Sequence, residues 1–474
     1  MYSLEEYESA SQISEGNHLA AECLRGWFLR DVSSHELLRY LEYSYRNANI
    51  RMEVSSRFLN RLIPQREPEV VAVNEIIVGR PVVGRGIQTT DVWIKMMPDP
   101  QRFRLGFVVD GRMVSSTVSE ANMVRVVNDS EAAFSGMKEV ELTERGIHTA
   151  GAVAEVDNRI QLRQLETTFG VIPLVGAVAN EVAKAQAKAT LEQARLEMQA
   201  RIHRQVIDSL DGEVDRCIDN VNIMWDERVL GLLGRLGIDF IQVGAETSED
   251  SATVRWRLAG PDQLGGHTPR PMPTQHNLMN FQVHESAINN LLQQLKLDGR
   301  TFTFEQLNEH IALRFPKWRE REQEMDADIP EDLVIAFPPT DSISVKMAEG
   351  QIMLQLSIAR LKLGGYEWEN FKIHVPYRVE TEGFQALVRR DGVIRLIGKM
   401  KLGQQIAIRG VFSKAFPKDM VTPVIPEQMQ ADPRFSVFVI SQCVMQDGWL
   451  AISVGEHPAA LRTVVQGEPG GVVR

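Results

Sequence analysis

The same short order of elements occurs twice in the sequence. Arg51–Ile63 (RMEVSSRFLNRLI) and Asn280–Leu295 (NFQVHESAINNLLQQL) both spell a strand end, a polar cap and a short apolar helix. Laid on one another without gaps, Val54 falls on Val283, Asn60 on Asn289 and Leu62 on Leu291, while Phe58 and Ile63 fall on small or aliphatic residues. An internal repeat limits the available folds more than local propensity does, because each copy must bury the same faces in the same order. Strand patterns follow both copies, so the chain reads as a duplicated module.

In the first copy Ile50, Met52 and Val54 alternate with polar residues, and Ser55 and Ser56 cap a helix carrying Phe58, Leu59, Leu62 and Ile63 that Pro64 ends. From Ile87 to about Val156 short strands alternate with turn chemistry. Trp93–Met97 precedes Pro98-Asp99-Pro100, and Phe103–Val109 precedes Asp110-Gly111, which predicts a two-residue hairpin. Val114–Val118, Met123–Val127 and Glu139–Leu142 continue the meander. These connections are too short for crossover helices, so the sheet is antiparallel.

Between Leu174 and Leu233 there is no proline, and Leu210, Val214, Cys217, Val221 and Met224 recur at helical spacing. Unbroken, the stretch makes a rod of roughly 90 Å, with Asp211-Gly212 as the expected kink or hairpin point. Strands return at Phe240–Val243 and Thr253–Leu258, and the proline- and glycine-rich Gly260–Pro273 reads as a linker. The second copy is followed by strand patterns at Leu333–Phe337, Ser342–Lys346, Ile352–Ala359, Tyr366–Val375, Gly383–Val388, Val393–Ile397, Phe435–Cys443 and Trp449–Val454. Glu349-Gly350, Gly364-Gly365, Asp391-Gly392 and Asp447-Gly448 punctuate them.

The resulting division is an N-terminal helical segment (1–48, with two short helices over Glu15–Arg46), a first helix-plus-sheet module (49–165), a long charged helix or hairpin (166–236), returning strands and a linker (237–273) and a second module (274–474). The fold class is α+β.

Chemistry is harder to find. Lys plus Arg is 52 against 63 for Asp plus Glu, a net charge of −11, which argues against a nucleic-acid partner. The longest uncharged stretch, Thr167–Asn180, is too short for the ~20 residues of a membrane span, so no transmembrane segment is expected. Cys23, Cys217 and Cys443 are too scattered to encode a zinc site or disulfide framework. Gly84-x-Gly86 lacks a third glycine and reads as a strand-entry turn. His284-Glu285 lacks the second histidine of a zincin and reads as a helix start. Asp208, Asp211, Glu213, Asp215 and Asp219 lack calcium-loop spacing and read as a solvated helix face. Arg314–Arg321 reads as a helix end packing Phe315 and Trp318, and Asn128-Asp129-Ser130 matches a glycosylation sequon. No catalytic residue, cofactor or metal ligand is assigned. A Ser/His/Asp site assembled only in three dimensions stays open.

A twisted sheet with an apolar face needs a cover, which a helix in its curve supplies. Fitted tightly, the pair is a core; held apart, the same residues line an apolar tunnel. Several segments, among them VSSRFLNRLI (Val54–Ile63), IIVGRPVVGRG (Ile76–Gly86), FVVDGRMVSSTV (Phe107–Val118), KEVELTERGIH (Lys138–His148), VHESAINNLL (Val283–Leu292) and DGWLAI (Asp447–Ile452), resemble a family of uncharacterised, mostly secreted bacterial proteins of planctomycete type. In element order the chain more distantly resembles the tubular lipid-binding superfamily, which includes the bactericidal/permeability-increasing proteins. That resemblance implies acyl chains held between a helix and a curved sheet. The expectation is therefore a non-enzymatic binder of an apolar ligand such as a lipid, with Val54, Phe58, Leu62, Val283, Ile288, Leu291 and Leu292 as liners. The alternative is a structural or assembly protein of the envelope that meets a protein partner through the long helix. Met1–Ala10 lacks the basic and apolar regions of a secretory signal, so the periplasm or cell envelope is implied by the family resemblance alone, with the cytoplasm as the other compartment.

Overall fold

The computed structural model describes residues 48–121, 124–143, 145–167, 173–260, 263–266, 268, 270–271, 277–315, 332–416, 418, 421–423 and 431–456. The helices expected over Glu15–Arg46, and the basic stretch beyond Phe315, lie outside them. In chain order the elements begin with β1 (Ile50–Ser55), α1 (Ser56–Leu62), β2 (Glu69–Ile77), β3 (Arg80–Met96), β4 (Phe103–Ala121), β5 (Val124–Thr143), β6 (Gly146–Thr149) and β7 (Val153–Thr167). The helix α2 (Pro173–Trp225), a π turn, α3 (Gly231–Leu236), β8 (Phe240–Thr247), β9 (Ser251–Leu258), β10 (Met279–His284) and α4 (Glu285–Gln293) follow. Then come β11 (Thr301–Thr303), α5 (Phe304–Arg314), β12 (Val334–Ala336), β13 (Ile343–Ala348), β14 (Gln351–Leu363), β15 (Tyr366–Glu382), β16 (Gln385–Arg390) and β17 (Arg395–Ile397). The last are α6 (Leu402–Ala415), β18 (Val421–Pro423), β19 (Phe438–Gln446) and β20 (Trp449–Glu456). The class is α+β, with antiparallel, curved sheets.

The chain forms two compact units, one of Met1–Phe58, Met224–Glu246 and Ser251–Arg474, the other of Leu59–Ile223 and Thr247–Asp250. In the first, a central sheet runs β19-β20-β10-β1-β9-β8. Its strand order is symmetric about the β1–β10 pair, in which Ile50 faces Val283 and Val54 faces Met279. Where each of these strands enters its helix the bonding matches: Ser55 N donates to Leu278 O and His284 N to Asn49 O, both at 2.8 Å. Alternation gives the sheet an apolar face, with Val54, Val254, Trp256, Leu450 and Ile452 buried, and a polar one carrying Arg51, Glu53, Arg255, Asn280 and Gln282.

The described residues of the stretch read as a linker form a strap across that polar face. Trp449 Nε1 donates to Thr268 O at 2.9 Å, Gln282 Nε2 to Pro271 O at 2.8 Å, Asn290 Nδ2 to Leu264 O at 2.8 Å and Arg257 Nη2 to Gln263 O at 2.8 Å. Buried donors of the sheet must find acceptors, and the strap's carbonyls supply them. A second sheet, β11-β12-β14-β15-β16-β18 with β13 on β14 and β17 on β15, is filled from one side. Leu361, Trp368, Phe371, Ile373 and Val375 pack with Ile408, Val411 and Phe412 of α6.

The other unit is a meander, β2-β3-β4-β5-β6 with β7 on β5. Its strands are longer than the turn chemistry predicts. No hairpin forms at Asp110-Gly111: β4 continues for 19 residues and β5 for 20. Gly111 answers to the opposite strand, because a Cβ there would run into the Phe134 ring and displace it. Gly84 and Gly86 likewise sit inside β3, not at its entry. The β2–β3 turn is Val78-Gly79, with φ of 50° and 71°. Asp447-Gly448 does turn between β19 and β20, at φ of 50° and 82°.

α2 runs 53 residues without interruption at Asp211-Gly212, a length of about 80 Å at 1.5 Å per residue. Glycine inside a helix costs only ~1 kcal/mol, and packing on the sheet outweighs it. Ile202, Val206, Leu210, Val214 and Ile218 form the buried ridge. Its spacing of four leaves Cys217, Val221 and Met224 of the expected stripe exposed.

Candidate functional site: the gap beneath the long helix

α1 and α4 fix their sheets by one device. Asn60 Nδ2 donates to Ile94 O at 2.8 Å and its Oδ1 accepts from Ile94 N at 2.7 Å. Asn289 does the same to Val345, at 2.9 and 2.7 Å. A side-chain amide is the right shape to complete a strand's ladder, and these are two of the residues that coincide when Arg51–Ile63 is aligned with Asn280–Leu295.

On the meander, α2 is held by ionic and amide contacts as much as by its apolar ridge. Lys138, its side chain 3% exposed, bonds to Asp211 at 2.5 Å and to Asp215 at 3.0 Å. Burial opposes the ammonium, but the bonds to the two aspartates outweigh it and raise the Lys138 pKa. The Thr149 hydroxyl and then Lys138 lower that of Asp215. Glu213 pairs with Arg66. The acidic run is therefore not simply a solvated face. Asn222 bonds both backbone groups of Ile147 at 2.8 Å, and Gln199 Nε2 donates to Val156 O at 2.7 Å. At Gly136 the helix comes close enough that a Cβ would meet Leu210 Cδ1 at 2.8 Å.

Away from Gly136 the helix-facing side of the sheet loses bulk. In register stand Gly84 and Thr117, Gly86 and Ser115, Ser115 and Ser130, Thr117 and Asn128. The hydroxyls of Ser115 and Ser130 bond to each other at 2.7 Å. Beneath Thr190, Leu191 and Ala194 of α2 lies a gap of about 70 Å³. Ile77, Val82 and Val126 give it apolar walls, and Arg80, Ser119 and Asn128 polar ones. Asn128, half-buried, has its Oδ1 buried with no hydrogen-bond partner among the described residues, so the sequon asparagine turns its oxygen inward. The Val78 amide, at the edge of the gap, donates to Glu197 of α2 at 2.8 Å. That bond holds a β-branched residue in the left-handed region. The arrangement offers apolar walls with one unanswered acceptor, a setting for an aliphatic chain carrying a polar group.

The seven liners expected from the sequence lie elsewhere. Val54 is buried in the central sheet. Phe58 is buried with its ring 5.0 Å from that of Phe438, and Leu62 is half-buried at the end of α1. Val283, Ile288 and Leu292 share a cluster with Met347 and Leu450, and Leu291 joins Val283 in another with Leu233 and Leu258. None of them lines the gap. The residues that do were missed because their grouping depends on strand register, which periodicity does not reveal. His284 is the N-cap of α4, fully buried, accepting at Nδ1 from Ser286 N. Cys217 and Cys443 are free thiols. Among the described residues no helix is long and apolar enough to cross a membrane, and no cluster of acidic, histidine or cysteine side chains is placed to hold a metal ion.

No protein-family model and no curated protein matches the chain, so the planctomycete-type resemblance rests on the segments quoted above. Among solved structures, the crystal structure of lipopolysaccharide binding protein is similar over 87% of this chain and 99% of that one, at 9% identity and a TM-score of 0.30. A superposition that loose carries neither fold nor ligand across to this chain.

Proposed function

We propose that the chain is a non-enzymatic binder of an apolar or amphipathic ligand of the lipid class, acting in the bacterial cell envelope, and that its two modules are copies of one ancestor. The observation that carries the binding is the gap between α2 and the meander, where Ile77, Val82, Val126, Leu191 and Ala194 surround space that no described residue fills and Asn128 Oδ1 has no partner among the described residues. The space takes the end of an aliphatic chain, and the remainder lies outside it. Each buried methylene contributes ~0.8 kcal/mol, so about ten contribute ~8 kcal/mol, a sum of the same order as the ~4–15 kcal/mol that association costs. The duplication is supported by the matching asparagine bonds and by the symmetric order of the central sheet.

A second reading, an envelope assembly protein that meets its partner through α2, is favoured by Leu196, Val221 and Ile223, which that helix leaves exposed. Binding is preferred because the opposite face of α2 is committed to its own sheet from Thr190 to Asn222. Native mass spectrometry of protein purified without detergent tests the proposal. Bound species that organic solvent extracts and that fragment as acyl lipids are expected, and a bare chain that takes up no added fatty acid would overturn it.

A further inference from the structure

At the open end of the central sheet's polar face, positive charge accumulates. Arg51 stands in register between Gln282 of β10 and Arg255 of β9, so two guanidiniums are direct cross-strand neighbours, an arrangement that destabilises a sheet. Arg270, from the strap, joins them and donates to Gln282 Oε1 at 3.4 Å. The three line a cleft of about 280 Å³. Glu53 and Glu246 face the same space, so three guanidiniums against two carboxylates leave one positive charge over. Glu53 is already engaged by Asn280 Nδ2 at 2.8 Å.

The site has built features. Nε of Arg255 and Nε of Arg270 are buried and meet no acceptor among the described residues. Gly244 in β8 clears the way for the Arg255 guanidinium, since a Cβ there would stand 2.7 Å from Nη2. Burial first, then repulsion from Arg270 and Arg255, pulls the Arg51 pKa down to about 9, with Glu246 opposing. Burial and then Arg255 lower that of Arg270, against Glu53 and Glu246. An anion placed among these groups would relieve the repulsion and satisfy the idle donors.

Guanidinium forks match the paired oxygens of oxyanions. One surplus charge balances a monoanion, and donors converging from two strands and a strap suit tetrahedral oxygens better than a planar carboxylate. We infer that this cleft binds a singly charged oxyanion of the phosphodiester class, held by Arg51, Arg255 and Arg270. The inference does not depend on the apolar-ligand reading, because it concerns other residues in the other compact unit.

The test is thermal unfolding of the full chain at constant ionic strength, with dimethyl phosphate as the free diester and phosphatidylglycerol vesicles in a co-flotation arm. Dimethyl phosphate at ten times its Kd should raise the melting temperature by roughly 1–2 °C over a chloride control. Arg255→Gln and Arg270→Gln should each weaken binding at least tenfold; the second lies on the strap, outside the strands, and keeps the test alive if the first fails to fold. Vesicle binding lost in Arg270→Gln supports the site and assigns the group to a lipid headgroup, whereas a shift with dimethyl phosphate alone supports it and assigns a soluble diester. No response in either arm, or a response unchanged in Arg270→Gln, would overturn the inference.

Discussion

Asn60 and Asn289 hold their sheets by the same pair of backbone bonds, yet the sheets behind them are filled in opposite ways. Beyond Asn289, large side chains such as Trp368, Phe371, Ile373 and Phe412 leave a solid core. Beyond Asn60, the comparable surface under α2 is apolar around Val109, Phe134, Val140, Val206 and Leu210, gives way to Gly84, Gly86, Ser115, Thr117 and Ser130, and turns apolar again at Ile77, Val82 and Val126 beside the gap. The wiring of a helix-covered sheet therefore does not decide whether it is a core or a container. Side-chain volume along the covered face decides it. Where volume is lacking, the helix has to be held by directed bonds, and the Lys138, Asn222 and Gln199 contacts supply them.

If that contrast is right, the meander unit should be the one whose stability rests on charge. Lys138→Ala is expected to cost ~2–3 kcal/mol, because it removes buried packing and leaves Asp211 and Asp215 facing the sheet without a cation. Thermal or urea unfolding of the variant measures this, and a loss below half a kcal/mol would remove the ionic grip from the account. The sign of the pH dependence follows. The Lys138 pKa is raised, so its contribution is complete below the ordinary lysine value of 10.5 and is lost as pH climbs through the folded value. That of Asp215 is lowered, so its contribution is complete above 3.8 and is lost as pH falls through the folded value. Lys138→Ala should flatten both limbs of the unfolding profile.

A smaller effect tests the likeness of the copies. Asn60→Ala and Asn289→Ala should each cost ~1–2 kcal/mol, since each strands a backbone donor and acceptor. Denaturant unfolding compares them. Values within a few tenths of each other sharpen the duplication, and a neutral result at one site alone breaks it.

Much of the chain from Asn280 onward is legible in the sequence. Its strands fall where alternation and the Glu349-Gly350, Gly364-Gly365 and Asp447-Gly448 turns put them, and His284 caps its helix, because those signals are local. The meander misled at Asp110-Gly111, where glycine answers to Phe134 on the next strand, and at Asp211-Gly212, where the aspartate answers to Lys138, 73 residues earlier. Such requirements cross strands and leave no trace in a window of neighbouring residues. The gap was hidden for the same reason. Val82, Ser119 and Val126 stand side by side through the β3–β4–β5 register, which a one-residue slip would undo.

The central claim, that the space under α2 receives an aliphatic chain, is tested most directly by titrating wild type and Ala194→Trp with a fluorescent fatty acid. An indole at 194 fills the gap from the helix side, and circular dichroism checks that the fold persists. The account predicts saturable binding by wild type and at least a tenfold loss in Ala194→Trp. Equal affinity in the two proteins, or no binding by wild type, would contradict it.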